Sequence, residues 1–358
     1  MSSPSPSLSP SGAVLTVDLD ALAANFATLD RLASGAEVAP VVKANGYGLG
    51  AAEVAYRLMA EGARSFFVAR LSEGVSLRAA LGVKPAIYVL DGCPDGAAGL
   101  LIAERLTPVL NTIEQTAAWD AAGGGEAALM LDTGLNRLGL TDTEACTLPP
   151  DRFAVVMSHL ACADQPAHPM NRSQRERFTA IAARFPGARR SLAASDGLFL
   201  GADFTFHMVR TGICLYGGGP EGRPDPRIRP VATFEAPILQ VRDLHPGDTV
   251  GYGAAFTATR PMRAAVVAAG YADGVLRAGA PKAYGSLAGR RCAMLGRISM
   301  DLTVFDVTDI AEAAAGRMIE LVGPNVPVDE AAAAAGTIAY ELLTRLGARA
   351  VRRYVGAR

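Results

Sequence analysis

Between residues 37 and 215, short apolar runs alternate with longer Ala-, Leu- and Arg-rich stretches, which restricts the chain to repeated strand–helix units. The runs are VAPVV (38–42), RSFFVA (64–69), AIYVL (86–90), LTPVL (106–110), AALMLD (127–132), FAVVMS (153–158), RRSLAA (189–194) and HMVRTG (207–212). Parallel strands covered on both faces are nearly continuous in apolar character, as these are. Eight in succession predict an α/β fold that opens with an N-terminal (β/α)8 barrel of TIM type. A doubly wound sheet is the alternative, because the third and fourth runs are short and the helix between them is weakly patterned. The missing GxGxxG after the first run weighs against it. Helices are expected over GAAEVAYRLMAEGA and over NRSQRERFTAIAARF, with Asn171 in a capping position on the second.

The texture changes at GRPDPRIRP (222–230), which reads as a linker. Beyond it, VATFEAPILQVRDLHPGDTVGYG, RAAVVAAGYADG and RCAMLGRISMDLTVFDV are short runs with turns at HPGD, YADG and LGRI, so a predominantly antiparallel β domain is expected. AAAAAGTIAYELLTRLGA is a helical candidate with Gly336 as its weak point. The expected division is a disordered Ser/Pro leader at 1–12, a barrel domain at 13–229 and a β-rich domain at 230–358.

The chain is 50% apolar and 19% charged, which argues against extensive disorder. A net charge of -1, with no Lys/Arg tract longer than a pair, gives no general attraction to nucleic acid or anionic membrane. No window supplies the run of about 18 apolar residues that a spanning helix needs. The five cysteines are widely spaced without CxxC, as free thiols of a reducing compartment would be, and the four histidines show no HExxH; no metal site is expected.

Only three lysines stand among the 34 basic residues, and one, Lys43, follows the first run in VVKANGYGLG. A strand delivering an amine into a glycine-rich loop suits a Schiff base with an aldehyde cofactor, since burial depresses an amine pKa. Reactive groups of a parallel barrel gather at the C-terminal strand ends, where Asp132, Arg137, His159, Ser195 and Arg210 also fall. Asp132 serves equally well as a turn cap, and His159 as a hydrogen-bonded core histidine. Arg210, inside an apolar run, needs a buried acceptor or a ligand. Tyr47, Ser195 and the backbone N–H groups of Gly212 and Ile213 are placed to converge on a phosphate. A Schiff-base lysine, a phosphate nest and a buried arginine together point to pyridoxal 5'-phosphate.

With VVKANGYG, LDTGLNRLG, MVRTGICLYG, VGYGAAFTA, GYADG, LGRISMDLT and GTIAYE in this order, the sequence resembles the alanine racemase family over nearly its whole length after the leader. The resemblance implies a pyridoxal-phosphate-binding (β/α)8 barrel with a β-rich second domain, in a cytoplasmic homodimer with shared active sites. It implies an isomerase that interconverts L-alanine and D-alanine by a two-base mechanism on a pyridoxal phosphate aldimine, machinery that serves D-alanine biosynthesis and breakdown alike. Lys43 then carries the internal aldimine and acts on the D-alanine hydrogen, while Tyr252, from the partner subunit, acts on the L-alanine hydrogen. Arg210 resembles the arginine facing the pyridine nitrogen, and His159 the residue that hydrogen-bonds the catalytic tyrosine. Arg137 resembles the arginine near the cofactor phenolic oxygen and substrate carboxylate. Tyr47, Ser195, Gly212, Ile213 and Tyr340 match the phosphate shell. Met300 matches a partner residue whose N–H meets the substrate carboxylate, and Tyr271 an entrance tyrosine that excludes bulk.

Three positions depart from the family pattern. Met130 stands where many members carry a carbamylated lysine that pairs with the active-site arginine. Ala194 stands where asparagine often precedes the phosphate serine, and Leu49 where histidine is common. Neighbouring readings are a racemase of another amino acid, a decarboxylase, which Arg210 argues against because a glutamate is expected in that place, and a single-barrel pyridoxal phosphate carrier, which leaves Tyr252 and the second domain unexplained.

Overall fold

The computed structural model describes residues 12–357. Apart from Gly12, the leader expected over 1–12 lies outside that range, as does Arg358. The backbone gathers into two units, one of Ala21–Glu221 with Asp225–Arg229, the other of Pro230–Gly356 with Gly222–Pro224 and the chain start through Asp20. The first strand, β1 (Val14–Asp18), precedes the helix Leu19–Ala33 but belongs to the second unit.

In the first unit the eight expected strands all form. They are β2 (Glu37–Pro40), β3 (Ser65–Val68), β4 (Ala86–Val89), β5 (Thr107–Leu110), β6 (Ala128–Met130), β7 (Val155–Met157), β8 (Arg189–Ser191) and β9 (Met208–Thr211). β3 to β8 pair in parallel in chain order, and β2 pairs in parallel with β9. Parallel bridges Val41↔Phe67 and Ala194↔Arg210 join these two pieces, so the sheet curls into a ring. The strands are three or four residues long; Ser65–Val68 is buried at all four positions, whereas β8 enters the ladder with Arg189, Arg190 and Ser191 ahead of its apolar residues.

Helix starts were less legible. The helix Pro169–Ala182 begins before the expected Asn171, because Pro169 is preset for a first turn and the His168 ring Nδ1 accepts from the Met170 N–H at 3.2 Å. Asn171 is instead buried within the helix, its amide donating to the carbonyls of Cys162 and Gln165 at 3.0 Å each. The linker expected at 222–230 is pinned at its end, where Asn25 donates to Arg229 O at 2.9 Å and accepts from Arg229 N at 2.7 Å.

The second unit holds β10 (Ala232–Leu244), β11 (Thr249–Val250), β12 (Phe256–Thr257), β13 (Met262–Val267), β14 (Tyr284–Leu287), β15 (Arg290–Leu295), β16 (Thr303–Asp306), β17 (Met318–Val322) and β18 (Val351–Val355). Its main sheet runs β13-β16-β15-β14-β17-β10-β1-β18, and β10 also pairs with β13 past an irregularity between Ile238 and Gln240. The ladders are antiparallel as expected, apart from β1 with β18, which is parallel. The boundary expected at residue 13 groups β1 with the barrel; its hydrogen-bonded neighbours are β10 and β18. The helical candidate near the C-terminus is two helices, Val328–Ala334 and Ala339–Arg345, separated around Gly336 at φ 70°.

A charge the sequence reading passed over ties the other end of the barrel. Arg78, buried on the helix Leu71–Leu81, donates to the carbonyls of Gly82 and Pro85 at 2.8 Å each, of Glu104 at 3.0 Å and of Arg105 at 2.6 Å. It thereby joins the connections entering β4 and β5. Replacing Arg78 by Met strands these acceptors and is expected to lower unfolding stability by about 3 kcal/mol in urea denaturation. A loss below roughly 1 kcal/mol would show that the four bonds carry no structural weight.

Candidate active site

Lys43 stands where β2 runs out, and the chain then makes a turn of opposite hand. Ala44, Asn45, Gly46 and Tyr47 have φ of 52°, 55°, 62° and 56°. For residues with a Cβ this costs roughly 1–2 kcal/mol each, so the turn persists only because its surroundings dictate it. Gly46 N–H reaches Val42 O and Gly48 N–H reaches Ala44 O, both at 2.8 Å, while the Asn45 side chain accepts from Ala51 N at 3.0 Å. A Cβ on Gly46 would lie 3.1 Å from Ala51 N, which explains the glycine. Burial, then the charge of Arg137, holds the half-buried Lys43 amine below its ordinary range; Glu73 and Asp91 oppose this, and Arg210 adds to it.

Arg210 on β9 is the buried cation that the sequence flagged. Its guanidinium donates to Ser191 O at 3.0 Å, Ser191 Oγ at 2.6 Å, Ser158 O at 2.5 Å and Leu192 O at 3.4 Å, and lies 3.4 Å from His159 Nδ1. It found acceptors on the neighbouring strand ends, and no carboxylate among the described residues pairs with it. Burial lowers its pKa to about 10, so it stays charged at neutral pH. His159, just past β7, is pushed down to about 3 by burial and by the charges of Arg210, Arg137 and Lys43; its imidazole is neutral.

Next to them, Tyr47 is buried and stacks on Tyr216 with ring centroids 4.5 Å apart, and the Tyr216 hydroxyl donates to Val41 O at 2.8 Å. Burial raises the pKa of both phenols, so both are protonated. Ser195 Oγ accepts from Gly212 N at 2.9 Å and Cys214 N at 3.4 Å. A Cβ on Gly212 would lie 2.2 Å from Tyr47 Oη, so that glycine is required by close approach rather than by a turn. The barrel rim therefore gathers Lys43, Tyr47, His159, Ser195, Arg210, Gly212 and Ile213.

Arg137 is exposed on the loop after β6, and no carboxylate among the described residues pairs with it. Met130, on β6, is buried against Gly139. Lys84 is exposed before β4, away from the strand ends that carry Lys43. Asp132 caps its turn, accepting from Gly134 N at 2.9 Å and Asn136 N at 3.1 Å.

The remaining predicted residues lie in the second unit. Gly251 and Gly253, flanking Tyr252, pack against Arg297. Tyr271 N–H donates to Ser299 O at 3.1 Å and Ala272 N–H to Met300 O at 3.0 Å. These three loops thus present Tyr252, Met300 and Tyr271 with 72%, 53% and 45% of their surface exposed. Tyr340 is the second residue of the helix Ala339–Arg345. Sequence reasoning missed Glu73, which caps its helix without a Ser or Thr to advertise the motif, and Tyr216, which sits inside MVRTGICLYG without a polar neighbour.

Two family models match the chain: alanine racemase, N-terminal domain, over residues 17–220, and alanine racemase, C-terminal domain, over 231–354. The chain belongs to the alanine racemase family. An alanine racemase of Rhodospirillum rubrum is 47% identical over 362 residues, covering 97% of this chain and 96% of that protein. Among solved structures, alanine racemase from Bartonella henselae with covalently bound pyridoxal phosphate superimposes with a TM-score of 0.91 at 35% identity, covering 97% of this chain and 100% of that one. The biosynthetic alanine racemase from Pseudomonas aeruginosa gives 0.89 at 36% identity, covering 96% and 99%. For an alanine racemase fold, a neutral histidine beside a permanent cation is a testable feature of this chain. Between its ordinary 6.5 and about 3, the unfolded chain holds a proton on His159 that the folded chain does not, so this group lowers stability as the pH falls through that window. In an NMR titration His159 is expected to stay neutral from about pH 8 to pH 5. A midpoint near 6.5 would contradict the environment described.

Proposed function

We propose that this chain interconverts L-alanine and D-alanine with pyridoxal 5'-phosphate bound at the barrel rim. The observation that carries this is the convergence on one rim of an amine of lowered pKa, a buried arginine and a glycine kept bare by Tyr47. Backbone N–H groups at Gly212 and Ile213, with the hydroxyls of Ser195 and Tyr47 drawn against bare Gly212, suit a phosphate, and an amine that sheds its proton readily suits an aldehyde. Lys43 would hold the cofactor covalently; Tyr47, Ser195, Gly212, Ile213 and Tyr340 would hold its phosphate; Arg210 would face its ring nitrogen and Arg137 its phenolic oxygen. When bound, the cofactor withdraws electrons from the alanine Cα–H bond and makes that hydrogen acidic.

The chain's own groups then move protons. Lys43 Nζ takes or returns the Cα proton on the D side, and Tyr252 Oη of the partner subunit does so on the L side. Two groups are needed because inversion removes a proton from one face and adds one to the other. Arg210 stays a cation and disfavours a proton on any group set against it. With the Arg210 guanidinium against Nδ1, the neutral His159 keeps its proton on Nε2, which would donate to the partner tyrosine's oxygen and favour its ionised form. Arg137 and the Met300 N–H would orient the substrate carboxylate, and Tyr271 would limit the side chain to a methyl group.

The exposed Tyr252, Tyr271 and Met300 on one set of loops support a homodimer in which each copy completes the other's site. No helix among the described residues is long and apolar enough to cross a membrane, and cytoplasmic residence is proposed with the same family reading. Replacing Tyr252 by Phe is expected to leave the visible absorbance of bound cofactor in place and to cut L-to-D turnover by about a hundredfold or more. Mixing that variant with a Lys43→Ala chain is expected to restore turnover, because a hybrid dimer contains one intact site. Full activity of the phenylalanine variant would remove the two-base assignment, and silent mixtures would remove the shared site.

A further inference from the structure

Glu73 touches Lys43's turn from the first turn of the helix that follows β3. One carboxylate oxygen accepts from Ala44 N at 2.7 Å; the other accepts from Ala69 N at 2.8 Å and Arg70 N at 3.0 Å. The second set closes the start of the helix Leu71–Leu81, an ordinary capping duty. The first has no such explanation, since Ala44 lies 29 positions away in sequence and is the first residue of the left-handed turn. One side chain thus bridges the exits of β2 and β3.

We propose that Glu73 is a positioning residue for Lys43, its carboxylate fastening the left-handed turn to the β3 exit and so fixing where the amine stands. The proposal rests on the reading of Lys43 as cofactor anchor and gives that reading its mechanical support. Asn45 enters the left-handed region readily, but Ala44 has a Cβ and no such preference, so a charged acceptor at the Ala44 N–H selects this conformation over right-handed ones. Asn45 restrains the far end through Ala51 N and its own carbonyl through Gly50 N at 2.8 Å, which leaves Ala44 as the point where the clamp acts. Glu73 also contributes charge. The groups acting on the amine are Arg137 and Arg210, which favour its neutral form, and Glu73 and Asp91, which favour its protonated form.

The test separates clamp from charge with two variants of the full-length chain. Glu73→Gln removes the charge and leaves one oxygen to accept, so only one of the two loops stays bound. Glu73→Asp keeps the charge but is one methylene too short to span both. Hydrogen exchange followed by mass spectrometry is expected to show residues 42–50 exchanging roughly tenfold faster in both variants. Acetic anhydride labelling of the cofactor-free chain against pH reads Lys43 directly, with exposed Lys84 and Lys282 as references in the same sample. Its Lys43 midpoint is expected to move down in Glu73→Gln, where the charge that favours the ammonium is gone, and to stay near the wild-type value in Glu73→Asp. Faster exchange confined to residues 71–81 would reduce Glu73 to a helix cap and overturn the proposal, as would an unmoved Lys43 midpoint in Glu73→Gln. Neither readout requires bound cofactor, so a failure of the anchor reading would leave these results interpretable.

Discussion

A guanidinium buried among carbonyl oxygens, without a carboxylate against it, sets the electrostatics of the barrel rim. Arg210 satisfies its hydrogens on Ser158, Ser191 and Leu192 from the strands beside it, so its charge is solvated by dipoles and not cancelled. The charge adds to the effect of burial on both neighbours: the imidazole of His159 is driven neutral by burial and then by Arg210, and the amine of Lys43 is pushed in the same direction by burial, then by Arg137, with Arg210 adding to it. A carboxylate in place of one of those carbonyls would cancel the cation's share and leave burial as the main cause at both groups. The choice of acceptor therefore adds to what burial already favours, neutral His159 and a readily deprotonated Lys43.

Backbone geometry supplies what charge does not. The left-handed turn after β2 aims Lys43 and brings Tyr47 under Gly212, where the phenol and the bare glycine backbone approach more closely than a Cβ permits. Such a turn is unfavourable in isolation, and it is held by Asn45, by Glu73 and by the Tyr47–Tyr216 stack. In the second unit the analogous device is a set of glycine-flanked loops packed on Arg297 and on the Met300 carbonyl, which hold Tyr252 and Tyr271 exposed.

The barrel strands were legible because strands covered on both faces leave an unbroken apolar trace, and all eight runs became strands. Arg210 was legible for the opposite reason, as a charge where the trace demands none. Asp132 resolved to its capping role because two backbone donors lie within reach of one oxygen. What stayed hidden depends on contacts between distant positions. β1 carries the same apolar signal as a barrel strand, and only pairing with β10 and β18 assigns it elsewhere. Glu73 and Arg78 look like surface charges on a helix until the loops they reach are in place. Tyr252 has no pattern of its own and took its proposed role from family resemblance alone.

Lysine scarcity makes the central claim directly measurable. Borohydride reduction of the cofactor-loaded enzyme fixes any amine–aldehyde linkage as a stable secondary amine, and proteolysis with mass spectrometry then locates the tag among Lys43, Lys84 and Lys282. The account predicts a pyridoxyl phosphate tag on the peptide containing Lys43 and on neither of the others. A tag on Lys84 or Lys282, or none on Lys43, would contradict it.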